Sequence, residues 1–224
     1  MSEQTIVHLL RHGEVHNPEG LLYGRMDGFH LSELGRRMAQ QVADTIGDRD
    51  ITHLVASPLT RTRETAQPLA EARGLEVATD ERIIESTNVF QGEKFGPGAN
   101  TLRNPRAWRY LWNPWRPSWG EPYVEIAARM MAAVREAAAA ARGHEAVLVS
   151  HQLPIWTTRL HVEDRSFLHD PRRRQCTLCS LTSLHLEGER VVKVTYSEPA
   201  GDLLPTRDRN APFSAGGAPE EQRP

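Results

Sequence analysis

The chain has 224 residues, enough for one domain of ordinary size with a substantial core. Its 27 Lys+Arg against 29 Asp+Glu leave a formal charge of −2, so there is no general attraction to nucleic acid or an anionic membrane, and any anion site must be local. Its two cysteines argue against a disulfide-stapled secreted scaffold, and no run approaches the roughly 20 apolar residues that span a bilayer.

The opening "MSEQTIVHLL" lacks a basic region followed by a long apolar stretch and does not read as a signal peptide, so a cytoplasmic protein is expected. Residues 5–10 are apolar and β-branched and predict a buried strand. Ser32 precedes Leu34, Met38, Val42 and Ile46, a stripe that predicts an amphipathic helix capped by Ser32 and closed by Gly47. A second strand is expected over 53–56. Ser57-Pro58 predicts the start of the next helix, serine at the cap and proline at the first helical position, running through Arg73 to Gly74. The stretches "EVAT" and "ERIIE" predict short strands.

Residues 86–120 carry four of the five tryptophans and no clear period. They read as an insertion, either an aromatic lid or a packed loop. An Ala-rich helix is expected over 121–142, a third buried strand over 145–150, and a helix over 153–160. Residues 176–198 predict a hairpin turning at Glu187-Gly188-Glu189. Within it Cys176-x-x-Cys179 reads as core packing, and Arg172-Arg173-Arg174 before it as a solvated turn. The tail, 199–224, is rich in Gly, Pro and charge and is expected to be disordered, leaving a single domain over 1–198.

Strands alternating with helices predict a three-layer α/β/α sandwich with a largely parallel sheet, in which ligands bind beyond the carboxyl ends of the strands. Those ends share a chemistry. The first strand runs into Arg11-His12-Gly13, the second into Ser57-Pro58-Leu59-Thr60-Arg61, the third into Ser150-His151. Arg61 falls in the first turn of a helix, where free N–H groups and the dipole favour an anion. Two arginines and two histidines converging without a lysine point to a phosphoryl group. His8, His12 and His16 recur every fourth residue, but a strand there, with Gly13 and Pro18, argues against a metal-binding helix face, so no metal and no cofactor are expected.

"LLRHGE", "SPLTRTRETA" and "VLVSH" together resemble the motifs of the histidine phosphatase superfamily, the phosphoglycerate-mutase-like fold, over roughly residues 5 to 198. The resemblance implies that His12 attacks phosphorus and becomes phosphohistidine, while Arg11, Arg61 and His151 hold the phosphate oxygens. It implies that a carboxylate between the second and third motifs protonates the leaving oxygen. By position that is Glu85, with Glu93 as a rival. Asn17 matches a phosphate-contacting Asn, one residue closer to the first motif than in the mutases; Gln152 and Pro122 stand where Gly and Ser often occur in the family. Gly13 would let the backbone approach the phosphate. The expected activity is metal-independent hydrolysis of a small phosphorylated metabolite. The alternatives are a phosphoglycerate-type mutase and, behind it, a non-catalytic phospho-ligand binder. Monomer or homodimer is left open.

Overall fold

The computed structural model describes residues 4–93, 120–170 and 173–204. Six strands form one sheet: β1 (Gln4–Arg11), β2 (Ile51–Ala56), β3 (Ala78–Thr79), β4 (Glu145–Ser150), β5 (Leu181–Glu187) and β6 (Arg190–Ser197), in the order β3-β2-β4-β1-β5-β6. The first four run parallel, while β5 and β6 are an antiparallel hairpin on the β1 side. Gly188, at φ +62°, supplies the left-handed residue of the tight turn expected there.

Alternation along the buried strands divides the core into two layers. Leu10, Val147, Val149 and Leu181 face α1 (Glu33–Ile46) and α2 (Thr60–Arg73). Val7, Leu9, Ala146, Leu148 and Leu184 face α3 (Tyr123–Ala140) and α4 (Gln152–Val162). The result is the three-layer α/β/α sandwich with a mostly parallel sheet. Helix α1 begins as its sequence predicts, with the Ser32 hydroxyl accepting from the Gly35 N–H at 3.0 Å.

Four local expectations are corrected. Helix α2 starts at Thr60 behind Leu59, and Ser57 does not cap it, because the Ser57 hydroxyl is drawn instead to His151 at 2.8 Å. The "ERIIE" stretch is a short 3₁₀ turn, Glu81–Ile83, since the Asp80 carboxylate accepts the Arg82 N–H and chelates its guanidinium, which favours a capped turn over a strand. Cys176 and Cys179 lie in the loop before β5, not in a strand, although both are buried and free as core packing requires. The ordered chain also continues past 198: Ala200 and Leu204 pack into the α1–α2 core layer around a 3₁₀ turn at Gly201–Leu203. Residues 205–224, and 94–119 of the Trp-rich insertion with four of its tryptophans, lie outside the described residues. Asn88 and Gly120, which flank that stretch, pair in an isolated bridge. Among the described residues no helix is long and apolar enough to cross a membrane.

Candidate active site

Sheet order brings the three motifs together. β2, β4 and β1 are adjacent and parallel, so Ser57, His151 and the Arg11-His12 pair emerge side by side from their carboxyl ends. The join is pinned by backbone bonds, His12 N–H to the Ser150 carbonyl at 3.1 Å and Ser57 N–H to the Val149 carbonyl at 3.0 Å. The rings of His12 and His151 lie 5.3 Å apart, and both side chains, with Arg11 and Arg61, are buried.

Hydrogen bonds fix the state of each imidazole. His12 Nδ1 lies 2.8 Å from the Gly13 carbonyl. A carbonyl only accepts, so Nδ1 carries the hydrogen and Nε2 presents its lone pair. Burial, then the charges of Arg61 and Arg11, hold the His12 pKa well below 6.5, so the ring is neutral near pH 7. In His151, Nδ1 faces Arg61 Nη2 at 3.4 Å and Nε2 faces the Ser57 hydroxyl at 2.8 Å. A guanidinium only donates, so the His151 hydrogen sits on Nε2, toward Ser57. Burial, Arg61 and His12 keep this ring neutral as well.

The two arginines carry the charge of the site. Arg11 Nη1 donates to the Cys176 carbonyl at 2.8 Å, and Arg61 Nη2 to the Gly24 carbonyl at 2.6 Å. The Arg61 guanidinium also lies 4.7 Å over the Tyr23 ring. Each arginine leaves a buried Nε without a partner among the described residues. Two buried cations bonded to neutral groups are costly to hold, and a dianionic ligand between them would offset that cost.

Glu85 follows the 3₁₀ turn. Burial pushes its pKa above 4.5, against the opposing pull of the Ser86 N–H, Arg61 and Arg11. Its Oε1 accepts the Ser86 N–H at 2.8 Å, and Arg25 Nε donates to its backbone carbonyl at 2.6 Å. Arg25 is held in turn by Glu121, which also binds Arg129. Glu93 is exposed, and its carbonyl accepts the Leu22 N–H at 2.9 Å. Of the two acids, Glu85 shares the field of the buried arginines. Asn17 is buried, but its side-chain amide is engaged in both directions with the Leu21 backbone, at 2.9 and 3.0 Å, so here it clamps a loop.

Other parts of the site escape sequence reasoning. A Cβ on Gly13 would meet the Gly35 carbonyl at 2.7 Å, so this glycine is required by the close approach of α1, a cause different from the expected phosphate approach. Tyr23, stacked on Phe29 at 4.9 Å, closes the Arg61 side. The loop carrying the two cysteines is a wall of the site, with Cys176 bonded to Arg11 and the Cys179 N–H directed at the His12 carbonyl at 3.4 Å. Burial raises these thiols to about 11 and about 12, so they are inert near neutral pH. His8, one of the three periodic histidines, points away, to Ser183 at 2.7 Å and Glu145 at 2.9 Å.

Comparisons with known proteins bear on the family and the fold. The family model described as the histidine phosphatase superfamily (branch 1) matches residues 7–199. Uncharacterized protein Rv0525 of Mycobacterium tuberculosis is 56% identical over 200 residues, covering 89% of this chain and 99% of that one. The probable phosphoglycerate mutase GpmB of Proteus mirabilis is 34% identical over 154 residues, covering 66% and 70%. Among solved structures, the mycobacterial glucosyl-3-phosphoglycerate phosphatase Rv2419c in complex with VO3 superposes with a TM-score of 0.65 at 27% identity, covering 87% of this chain and 96% of that one.

Proposed function

The chain belongs to the histidine phosphatase superfamily, and from that premise we propose that it hydrolyses a small phosphomonoester through a phosphohistidine on His12. The observation that carries the reading is the buried His12 ring, its Nδ1 hydrogen given to the Gly13 carbonyl so that Nε2 keeps its lone pair, packed 5.3 Å from the His151 ring and within the field of Arg61. In the first step Nε2 forms a bond to phosphorus as the bond from phosphorus to the ester oxygen breaks, and Glu85 gives that oxygen its proton. In the second step water attacks the phosphohistidine, the ionised Glu85 takes the proton, and inorganic phosphate leaves with the N–P bond broken. Arg11 and Arg61 offset the charge on the phosphoryl oxygens throughout. His151, its Nε2 held by Ser57 and its Nδ1 facing Arg61, can donate to a phosphoryl oxygen only after Nδ1 takes up a proton, which an incoming dianion favours.

A phosphoglycerate-type mutase is the second reading, favoured by the similarity to GpmB. The same pocket would then return the phosphoryl group to the product before water reached it.

The test is release of phosphate from 4-nitrophenyl phosphate in the presence of chelator. The expected result is turnover by the native chain and a loss of at least about 10³-fold in His12→Ala. Undiminished hydrolysis by that variant would refute the proposal. Bisphosphoglycerate-dependent interconversion of 3- and 2-phosphoglycerate, faster than phosphate release, would favour the mutase instead.

A further inference from the structure

The turn that carries Glu85 is gripped from behind at two points. Arg129, on α3, donates from Nη1 to the Arg82 carbonyl at 2.5 Å, and Arg25 donates from Nε to the Glu85 carbonyl at 2.6 Å. Both guanidiniums close on one carboxylate, that of Glu121. Arg25 Nη2 reaches its Oε2 at 3.1 Å, while Arg129 reaches Oε1 at 2.7 Å and Oε2 at 3.0 Å. Glu121 thus fixes where both donors point.

The peptide that Arg25 holds is the one that holds the acid. A peptide unit is planar, so the Glu85 carbonyl and the Ser86 N–H move as one body. Arg25 fixes the carbonyl end, and the N–H end donates to Glu85 Oε1 at 2.8 Å. A bond to the backbone therefore sets where the carboxyl group lies. Next to Arg25 in sequence, the Gly24 carbonyl accepts from Arg61 Nη2 at 2.6 Å. Two neighbouring residues thus tie an arginine of the proposed phosphate cradle to the acid. The same loop is zipped to the segment beyond Glu85. Leu22 N–H donates to the Glu93 carbonyl and Gly92 N–H to the Leu22 carbonyl, both at 2.9 Å, and Arg25 N–H donates to Gln91 Oε1 at 2.8 Å.

We propose that Arg25 is a positioning residue: by bridging the Glu85 carbonyl and Glu121 it aims the acid at the leaving oxygen of a phosphate gripped by Arg61. This rests on the phosphatase reading, with Glu85 as its acid. In this role Arg25 acts through Glu85 and not on the substrate. A misaimed acid costs rate only where the leaving oxygen needs a proton.

Quenched-flow rates of His12 phosphorylation in the full-length chain test it, with glycerol 3-phosphate as the alkyl ester and 4-nitrophenyl phosphate as the activated one. In Arg25→Met, which keeps an unbranched stem and removes the donors, the alkyl ester is expected to react about 10- to 10²-fold more slowly. The activated ester should lose less than about 3-fold. Arg25→Lys, with a charged donor for one of the two partners, should recover part of the loss. In Glu85→Gln no acid remains to be aimed, so adding Arg25→Met should cost the alkyl ester less than about 3-fold more. A merely structural role would slow both esters together and would multiply with the Glu85 loss. Equal losses on both esters, losses that multiply in the double variant, no loss in Arg25→Met, or no recovery in Arg25→Lys would overturn the proposal. If urea denaturation shows that the methionine variant does not fold, the lysine variant, alone and combined with Glu85→Gln, carries the same comparison. Glu85→Gln by itself separates the idea from its premise. If that variant shows no selective loss on the alkyl ester, or the native chain puts no phosphate on His12, the reading fails and the proposal with it. A selective loss in Glu85→Gln without one in Arg25→Met removes only the positioning role.

Discussion

Glu85 has to hold a proton in order to give one away, and its burial extends the protonated form upward from pH 4.5. His12 has to be unprotonated, and its environment extends the neutral form downward from pH 6.5. The two shifts bring the required states towards each other. Hydrolysis of an alkyl phosphate should therefore fall as pH rises through the Glu85 pKa, because the acid is lost. In Glu85→Gln that alkaline dependence should disappear from the first half-reaction, with a loss of about 10²–10⁴-fold in the rate of His12 phosphorylation by alkyl esters and a much smaller loss with 4-nitrophenyl phosphate, whose leaving group needs no proton. A pH–rate profile of the two substrates in both proteins checks this; equal losses on both would remove Glu85 as the acid. At this scale His12, Arg11, Arg61 and His151 were readable because each stands within a few residues of a strand end in a short motif. Ser57 and Tyr23 were not. Ser57 reads as a helix cap, whereas its hydroxyl lies on His151, and Tyr23 reaches the site through Arg61, remote in sequence.

Among the elements, α1 has the most direct hold on the catalytic loop. A Cβ on Gly35, in its first turn, would meet the Glu14 carbonyl at 2.0 Å, and one on Gly13 would meet the Gly35 carbonyl. Helix propensity alone predicts that Gly35→Ala stabilises α1 by about 1 kcal/mol. The packing predicts the opposite, a loss of at least about 2 kcal/mol in urea denaturation with activity falling alongside, since the loop carrying His12 must move. A stabilised, fully active variant would contradict the proposed packing. The stripe at Leu34, Met38, Val42 and Ile46 made α1 legible, whereas "ERIIE" misled because its β-branched pair outweighs, in a local reading, an Asp80 side chain whose capping bond appears only in three dimensions.

Across the whole molecule, the parallel core of the sheet is tied at the end remote from the site by Glu145, at the start of β4. Its carboxylate meets His8 on β1 at 2.9 Å and Arg49, just before β2, at 2.7 Å. These partners bring the Glu145 pKa from 4.5 down to about 2. A lowered carboxylate pKa adds stability above the unfolded value, and that contribution is lost as pH falls from about 4.5 towards 2. Arg49 is partly exposed, so solvent screening reduces the effect to about 1–2 kcal/mol. Glu145→Gln should lower the unfolding free energy, read from urea denaturation, by that amount at pH 7, and the gap to the native chain should narrow on acidification; a gap constant with pH would exclude the ion pairs as its source. The alternation of strands and helices announced the layered architecture, and the shared chemistry of three strand ends announced the site. Sheet order, which makes those ends neighbours, rests on long-range pairing that no local window contains.

One measurement bears most directly on the phosphoryl-transfer chemistry. The chain is mixed with a ³²P-labelled phosphomonoester, quenched in alkali within the first turnovers, and digested for peptide mapping. An acid-labile, alkali-stable label on His12, approaching one phosphate per chain and missing from His12→Ala, is the predicted result. Phosphate release that proceeds at full rate with no label on His12 would contradict it.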